Sequence, residues 1–147
     1  MEHLTVKNFA TEKGQKMSLP GAEFTVKEIV PGNEVTKLHA NFVEIPPGQA
    51  AYSYHWHETN EEVFYIIQGI ASVRTAEGNK ILHAGDAITF PAGPEGAHQI
   101  RNASDTEKLI YLDCGAESAL EIAHMPDVDK VLVLGPHMQG MTNDVNN

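Results

Sequence analysis

The chain has 147 residues, 41% of them hydrophobic and 20% charged, with ten basic side chains against twenty acidic ones for a formal net charge of -10. This acidic balance argues against nucleic acid and anionic membranes as partners. No apolar run approaches the ~18 residues of a membrane span, the start Met1-Glu-His-Leu has no basic-then-apolar signal pattern, and the single Cys114 excludes an internal disulfide. A cytoplasmic location and one domain over residues 1–147 are the expectations.

Short strand-like runs alternate with turn signals along the chain. The first twenty residues are polar and read as a segment draped over the surface. Glu23–Val30 stops at Pro31-Gly32-Asn33, and Val35–Ile45 stops at Pro46-Pro47-Gly48. Ala50–His57 and Glu62–Gln68 read as a hairpin closed by Gly69. Ile70–Thr75, Lys80–His83, Ala87–Phe90, Ala97–Asn102 and Glu107–Asp113 follow, each bounded by Gly, Pro, Asn or Asp. Ala119–Ala123 and Lys130–Leu134 look like two more strands, and Gln139–Asn147 reads as a disordered tail. No long stretch has helical periodicity. Many short strands at this spacing argue for an all-β sandwich or barrel.

The richest segment is Gly48-Gln-Ala-Ala-Tyr-Ser-Tyr-His55-Trp-His57-Glu-Thr-Asn-Glu61-Glu62. Alternate side chains of a strand share a face, so His55 and His57 point the same way and Trp56 the other. A return strand after Glu58-Thr-Asn would carry Glu62 back beside them. Two imidazoles and a carboxylate make a plausible metal cluster. A second segment, from Gly85-Asp86 through Pro91, Gly93 and His98 to Asn102, supplies a third histidine after a Gly/Pro-rich turn.

Together these segments resemble the two signature motifs of the cupin superfamily, here G-x6-H-x-H-x4-E-x6-G over Gly48–Gly69 and G-x5-P-x-G-x4-H-x3-N over Gly85–Asn102. Each has one gap longer than the family's usual spacing, with the ligand types intact. The resemblance implies a double-stranded β-helix (jelly-roll) barrel with its core at about 35–115 and extensions on both sides. It also implies one divalent transition metal (Mn, Fe, Ni, Co or Zn) held by His55, His57, Glu62 and His98. Such a mixed nitrogen/oxygen set does not choose among these ions.

Strand parity gives a lining for that site. Ala51 and Ser53 face inward with His55 and His57, Phe64 and Ile66 with Glu62, and Ile100 with His98. Tyr52, Tyr54, Glu61 and Arg101 fall on the outer parity, unless a bulge breaks the count. With so few basic residues in the lining, the expected ligand is a small neutral or singly charged molecule rather than a phosphate ester. No general acid or base stands out. Of the remaining histidines, His3, His39, His83, His124 and His137, each reads as solvated or internally satisfied, and only His39 falls where pocket access is worth checking. Cys114 reads as a buried structural thiol. Gly69, Gly78 and Gly93 read as turn glycines with positive φ, and Asp86 as a turn residue bonding backbone amides.

The functional expectation is a metal-dependent enzyme of dioxygenase, isomerase, decarboxylase or lyase type acting on a small polar molecule. The competing expectation is a non-catalytic small-ligand-binding or sensor module, since fold does not imply function. The outer aromatics Tyr54, Trp56 and Tyr65 crowd a face that should be polar, so cover is expected from a second subunit in a homodimer. The competing cover is this chain's own Phe24, Val26, Ile29 and Val131–Leu134.

Overall fold

The computed structural model describes residues 4–30 and 37–145. Its strands are β1 (Gln15–Leu19), β2 (Ala22–Glu28), β3 (Leu38–Ile45), β4 (Ala50–His57), β5 (Glu62–Gln68), β6 (Ile70–Thr75), β7 (Gly78–His83), β8 (Ala87–Phe90), β9 (His98–Asn102), β10 (Leu109–Ala116), β11 (Glu121–Met125), β12 (Lys130–Leu134) and β13 (Gln139–Asn143). The helical content among the described residues is two short 3-10 turns, Pro94–Gly96 and Pro126–Val128. None of it is long and apolar enough to cross a membrane. The start of the expected strand at Val35 lies outside the described residues, as does His3.

The strands form two antiparallel sheets. One has six strands in the order β1-β2-β3-β10-β5-β8, and the other seven in the order β13-β12-β11-β4-β9-β6-β7. The all-β expectation holds. The closed barrel does not, because both orders are linear and each sheet keeps two open edges. The terminal extensions add strands to those edges instead of closing them.

Apolar side chains from the two inner faces fill the space between the sheets. Phe24, Val43 and Ile66 come from the six-stranded sheet and Val73, Ile100 and Ala51 from the other, each 2% exposed or less. Burial of a side chain such as Ile or Phe contributes about 1.5–3 kcal/mol. Alternation in β5 follows the expected parity, with Phe64 and Ile66 buried and Tyr65 43% exposed.

Both ends depart from the sequence expectation. β1 and β13 are strands where a draped segment and a disordered tail were read. Gln139–Asn143 pairs residue for residue with β12, from Lys130↔Asn143 to Leu134↔Gln139. All five of its residues are exposed, so it is held by backbone hydrogen bonds and carries no apolar alternation to betray it. Phe9 packs edge-on against Phe42 at 6.0 Å, and the Phe9 carbonyl accepts the Lys27 ammonium at 2.6 Å. Cys114 is half-buried, on the outer parity of β10, rather than in the core.

A break in β4 reshapes the interior. Ala51 pairs with Ile100 and His55 with His98, so three residues on β4 oppose one on β9. Tyr52 lies at the start of this bulge with φ 57, in the left-handed region that non-glycine residues rarely adopt. The parity therefore reverses within it. Tyr52 turns inward onto Phe24, with ring centroids 4.5 Å apart, while Ser53 is exposed. The sequence reading had the two the other way round.

Two of the three outer aromatics, Trp56 and Tyr54, find partners within the chain. Trp56 stacks flat on His124, its cross-strand neighbour, at 3.7 Å. Tyr54 lies under the Arg74 guanidinium at 3.9 Å, which is held by a bidentate pair of bonds to Asp127 at 2.6 and 3.0 Å. Phe24 turns into the core instead of covering this face.

Candidate metal centre

The antiparallel register of β4 and β9 places His55 directly opposite His98. Their rings lie 4.7 Å apart, and the His57 ring lies 5.0 Å from that of His55. Glu62 enters from β5, on the facing sheet. Its Oε2 stands 3.1 Å from His98 Nε2 and 3.5 Å from His57 Nε2. Ligand atoms of His55, Glu62 and His98 all lie within 4.8 Å of one another. The structure thus brings all four sequence-marked residues to one place between the sheets.

Local folding explains how each side chain is aimed. The His55 Nδ1–H donates to the Ser53 carbonyl at 2.7 Å and the His98 Nδ1–H to the Gly96 carbonyl at 2.8 Å. A carbonyl only accepts, so both rings carry their proton on Nδ1 and keep Nε2 as the ligand atom, that of His98 lying 3.1 Å from Glu62 Oε2. The turn before His98 is tightly built. Gly93 takes φ 96 and its amide donates to the His57 carbonyl at 2.8 Å. A Cβ on Gly96 would strike the Pro91 carbonyl, so only glycine lets this turn close beneath His98.

The loop between His57 and Glu62 is fastened from the C-terminal extension. Glu121, 2% exposed, accepts the Asn60 amide at 2.6 Å, the Thr59 hydroxyl at 2.8 Å and the Thr59 amide at 3.1 Å. Ser118 adds a bond to the Asn60 side chain at 2.6 Å. Nothing in the sequence marked Glu121, since a single acid opening a weak strand has no periodic signature.

Among the described residues, four buried atoms here have no hydrogen-bond partner: His57 Nδ1, His57 Nε2, Glu62 Oε2 and His98 Nε2. The close approaches of Glu62 to the two histidines lack hydrogen-bond geometry. Buried polar atoms are normally satisfied, and a cluster of imidazole nitrogens and a carboxylate oxygen is the donor set of a transition-metal ion. The residues present therefore fit such an ion.

The electrostatics are steep. Burial, aided by the neighbouring His98, lowers His55 to about 4, which keeps it neutral. Burial also opposes protonation of His57, but the attraction of Glu62 outweighs it and the net direction is up. Burial would raise Glu62, yet the pull of His39, His57 and His98 holds it far below the usual carboxylate range.

His39, marked in the sequence only as worth checking, reaches the centre from β3. Its Nε2 lies 3.0 Å from Asp113 Oδ1 and 3.6 Å from Glu62 Oε1. Hydrogen bonding to Asp113, then to Glu62, raises it to about 11. Burial pushes Asp113 upward, in competition with His39 for the shared proton. We take the pair as ionised, because His39 faces Glu62 and Glu117 as well. A cavity of about 580 Å³ opens at His39, between β2, β3 and the Leu134–Gln139 turn. Two tyrosines complete the interior. Burial raises Tyr52 to about 12 and Tyr111 well above its ordinary value, and the buried Tyr111 hydroxyl has no partner.

Two antiparallel sheets enclose a cluster of three histidines and one carboxylate, a candidate metal site. The model of the cupin domain matches residues 41–115, and the chain belongs to the cupin family. It is 33% identical over 112 residues to a probable oxalate decarboxylase of Arthroderma benhamiae, covering 71% of this chain but 27% of that protein. Its fold is shared with a candidate sugar phosphate isomerase of Acidithiobacillus ferrooxidans (TM-score 0.84, 23% identity, 98% of this chain and 93% of that one). It is shared equally with a cupin-superfamily sugar phosphate isomerase of Silicibacter pomeroyi (TM-score 0.81, 20% identity, 95% and 92%).

Proposed function

We propose that this cupin is a metal-dependent enzyme acting on a small, oxygen-bearing molecule. His55, His57, Glu62 and His98 would hold one divalent transition ion. The observation that carries the reading is the set of unpartnered buried atoms, His57 Nε2, His98 Nε2 and Glu62 Oε2, converging between the sheets. Bound there, a divalent ion supplies Lewis acidity toward a substrate oxygen and lowers the pKa of bound water.

The chain's own groups define what the site accepts. The Tyr111 hydroxyl, neutral through burial, offers a hydrogen-bond donor to a substrate oxygen. Phe64 and Phe90 pack on His98 at 5.3 and 3.7 Å and keep its surroundings apolar. Both arginines are engaged elsewhere, Arg74 with Asp127 and Arg101 with the Gly48 carbonyl. Lys27 and Lys108 are both spent on Glu44. A phosphate ester would find little to anchor it, so a neutral or singly charged carbonyl or carboxylic substrate suits the site better. This favours a decarboxylase, lyase or oxygenase type over a sugar phosphate isomerase.

The test is a turnover screen of protein loaded in turn with Mn, Fe, Ni, Co and Zn, with carboxylic acids and neutral sugars as substrates. Turnover abolished in His55→Ala supports the enzyme. Saturable ligand binding without turnover for every metal would instead establish a binding module.

A further inference from the structure

We propose that His39 and Asp113 are positioning residues that hold Glu62 on the metal through one oxygen only. The proposal rests on the metal-centre reading above and deepens it. β10 runs between β3 and β5, and Gly115 is the cross-strand partner of both His39 and Glu62. A Cβ on Gly115 would come within 2.9 Å of His39 Cε1 and 3.1 Å of Glu62 Cγ. With glycine there, the imidazole crosses the strand and reaches the carboxylate on the far side.

Asp113, two residues earlier on the same face and 6% exposed, fixes the ring by accepting from Nε2 at 3.0 Å. Glu117 flanks the other nitrogen, with its Oε2 3.4 Å from Nδ1. The two oxygens of Glu62 therefore differ. Oε1 faces His39 at 3.6 Å, while Oε2 is bare and turned toward His57 and His98.

A carboxylate with one oxygen set against the His39 ring, 3.6 Å from Nε2, and the other exposed to the ion binds through the exposed one. Released from that restraint, it can rotate and take two coordination positions, as carboxylates do at oxygen-rich sites. Partners that orient ligands in this way typically contribute 10–100-fold to metal affinity. Keeping Glu62 to one oxygen would leave an extra position on the ion for substrate. The same three side chains, His39, Glu62 and Asp113, are close enough to bind an ion themselves. Against that, neither His39 nor Asp113 has an unpartnered buried side-chain atom among the described residues.

The experiment titrates metal-free protein with Co2+, following the visible d–d absorption and measuring affinity by competition with a chromophoric chelator. Wild type, His39→Ala, His39→Gln and Asp113→Asn are compared, with the melting temperature of each metal-free protein as a control for folding. The expected result is one equivalent in wild type and roughly 10–100-fold weaker binding in His39→Ala and Asp113→Asn. Their spectra should be less intense, reporting a higher coordination number. His39→Gln, which keeps an amide N–H, should recover part of both, and a merely structural role would give no such rescue. If His39→Ala does not fold, Asp113→Asn and His39→Gln carry the comparison. Unchanged affinity and spectrum in the variants overturn the positioning role while leaving the metal centre standing. Two equivalents in wild type, with one lost in His39→Ala, overturn it in favour of a second ion site. No Co2+ binding by wild type overturns the metal centre, and this proposal with it.

Discussion

His98 and His124 are almost equally hidden, at 1% and 4% exposure, and opposite in what surrounds them. Both nitrogens of His124 are engaged: Nδ1 lies 2.7 Å from Asp144 and Nε2 2.7 Å from Glu58, with Trp56 stacked on the ring. It ties the C-terminal segment to β4. His98 spends Nδ1 on a backbone carbonyl and leaves Nε2 bare. Burial alone thus says nothing about function. Complete hydrogen bonding marks a histidine used as a joint, and an unpaired nitrogen marks one held ready for something else.

The contrast can be broken by mutation. In the double variant His57→Ala/Glu62→Gln, bound metal should fall by more than ~100-fold in affinity, beyond what an outer partner contributes. Mass spectrometry of the purified variant is the check, and stoichiometric metal there would end the assignment. His124→Ala should do the reverse, keeping the metal and destabilising the fold by about 2–3 kcal/mol, because Glu58 and Asp144 lose their shared partner and Trp56 its stacking surface. Urea unfolding measures this, and a loss of metal with stability intact would erase the distinction.

Glu121→Ala falls between the two. It strips the acceptor from the Thr59 and Asn60 amides, so a cost of about 1–3 kcal/mol should come with weaker metal binding. Chelation of wild type should lower the melting temperature while circular dichroism stays that of a β protein, since a ligand that binds only the native state acts by mass action.

Tyr52 sharpens the comparison from the other end of the pH scale. Its folded-state pKa is raised to about 12 by burial, then by Asp113 and Glu62. A raised value means that the stability it contributes is full below the unfolded value of about 10 and is lost as pH climbs toward 12. Alkaline unfolding should therefore begin earlier in wild type than in Tyr52→Phe, followed by circular dichroism. The smallest expected effect concerns assembly. The proposed homodimer would use the outer face of the six-stranded sheet, where Tyr65 stays 43% exposed, since Trp56 and Tyr54 are covered within the chain. Light scattering near 16 kDa would show a monomer, and about twice that mass supports the dimer.

The candidate ligands were legible because they sit in two compact segments: spacing puts His55 and His57 on one face, and the resemblance to the cupin motifs adds Glu62 and His98. Their helpers were not. Asp113 is a lone acid at the end of an apolar run, and Glu121 opens a strand with no clear alternation. Their roles exist only through β10 and β11, which come from far along the chain. The reversed reading of Tyr52 and Ser53 has a single cause, the bulge in β4, and the extra residue of the first motif falls in the span where the register shifts. The edge strands β1 and β13 were invisible because their residues are almost all exposed, and polar side chains on an edge leave no pattern. For His124 the sequence leaves solvated and satisfied open, and the bonds to Asp144 and Glu58 show the second to be right.

The pairing of β3 and β5 with β10, and of β4 with β9, has a consequence for how the centre comes into being. His39 and Glu62 meet only across Gly115, and His55 meets His98 only once the turn at Gly93–Gly96 has closed. On a ribosome delivering residues from the N-terminus, His55, His57 and Glu62 emerge well before the strands that orient them. Such long-range pairing is slow relative to local structure. The nascent chain therefore passes through an interval in which two histidines and a carboxylate are exposed without their geometry, open to whatever ion is abundant. Any selectivity of the proposed centre would arise afterwards, when β10 closes.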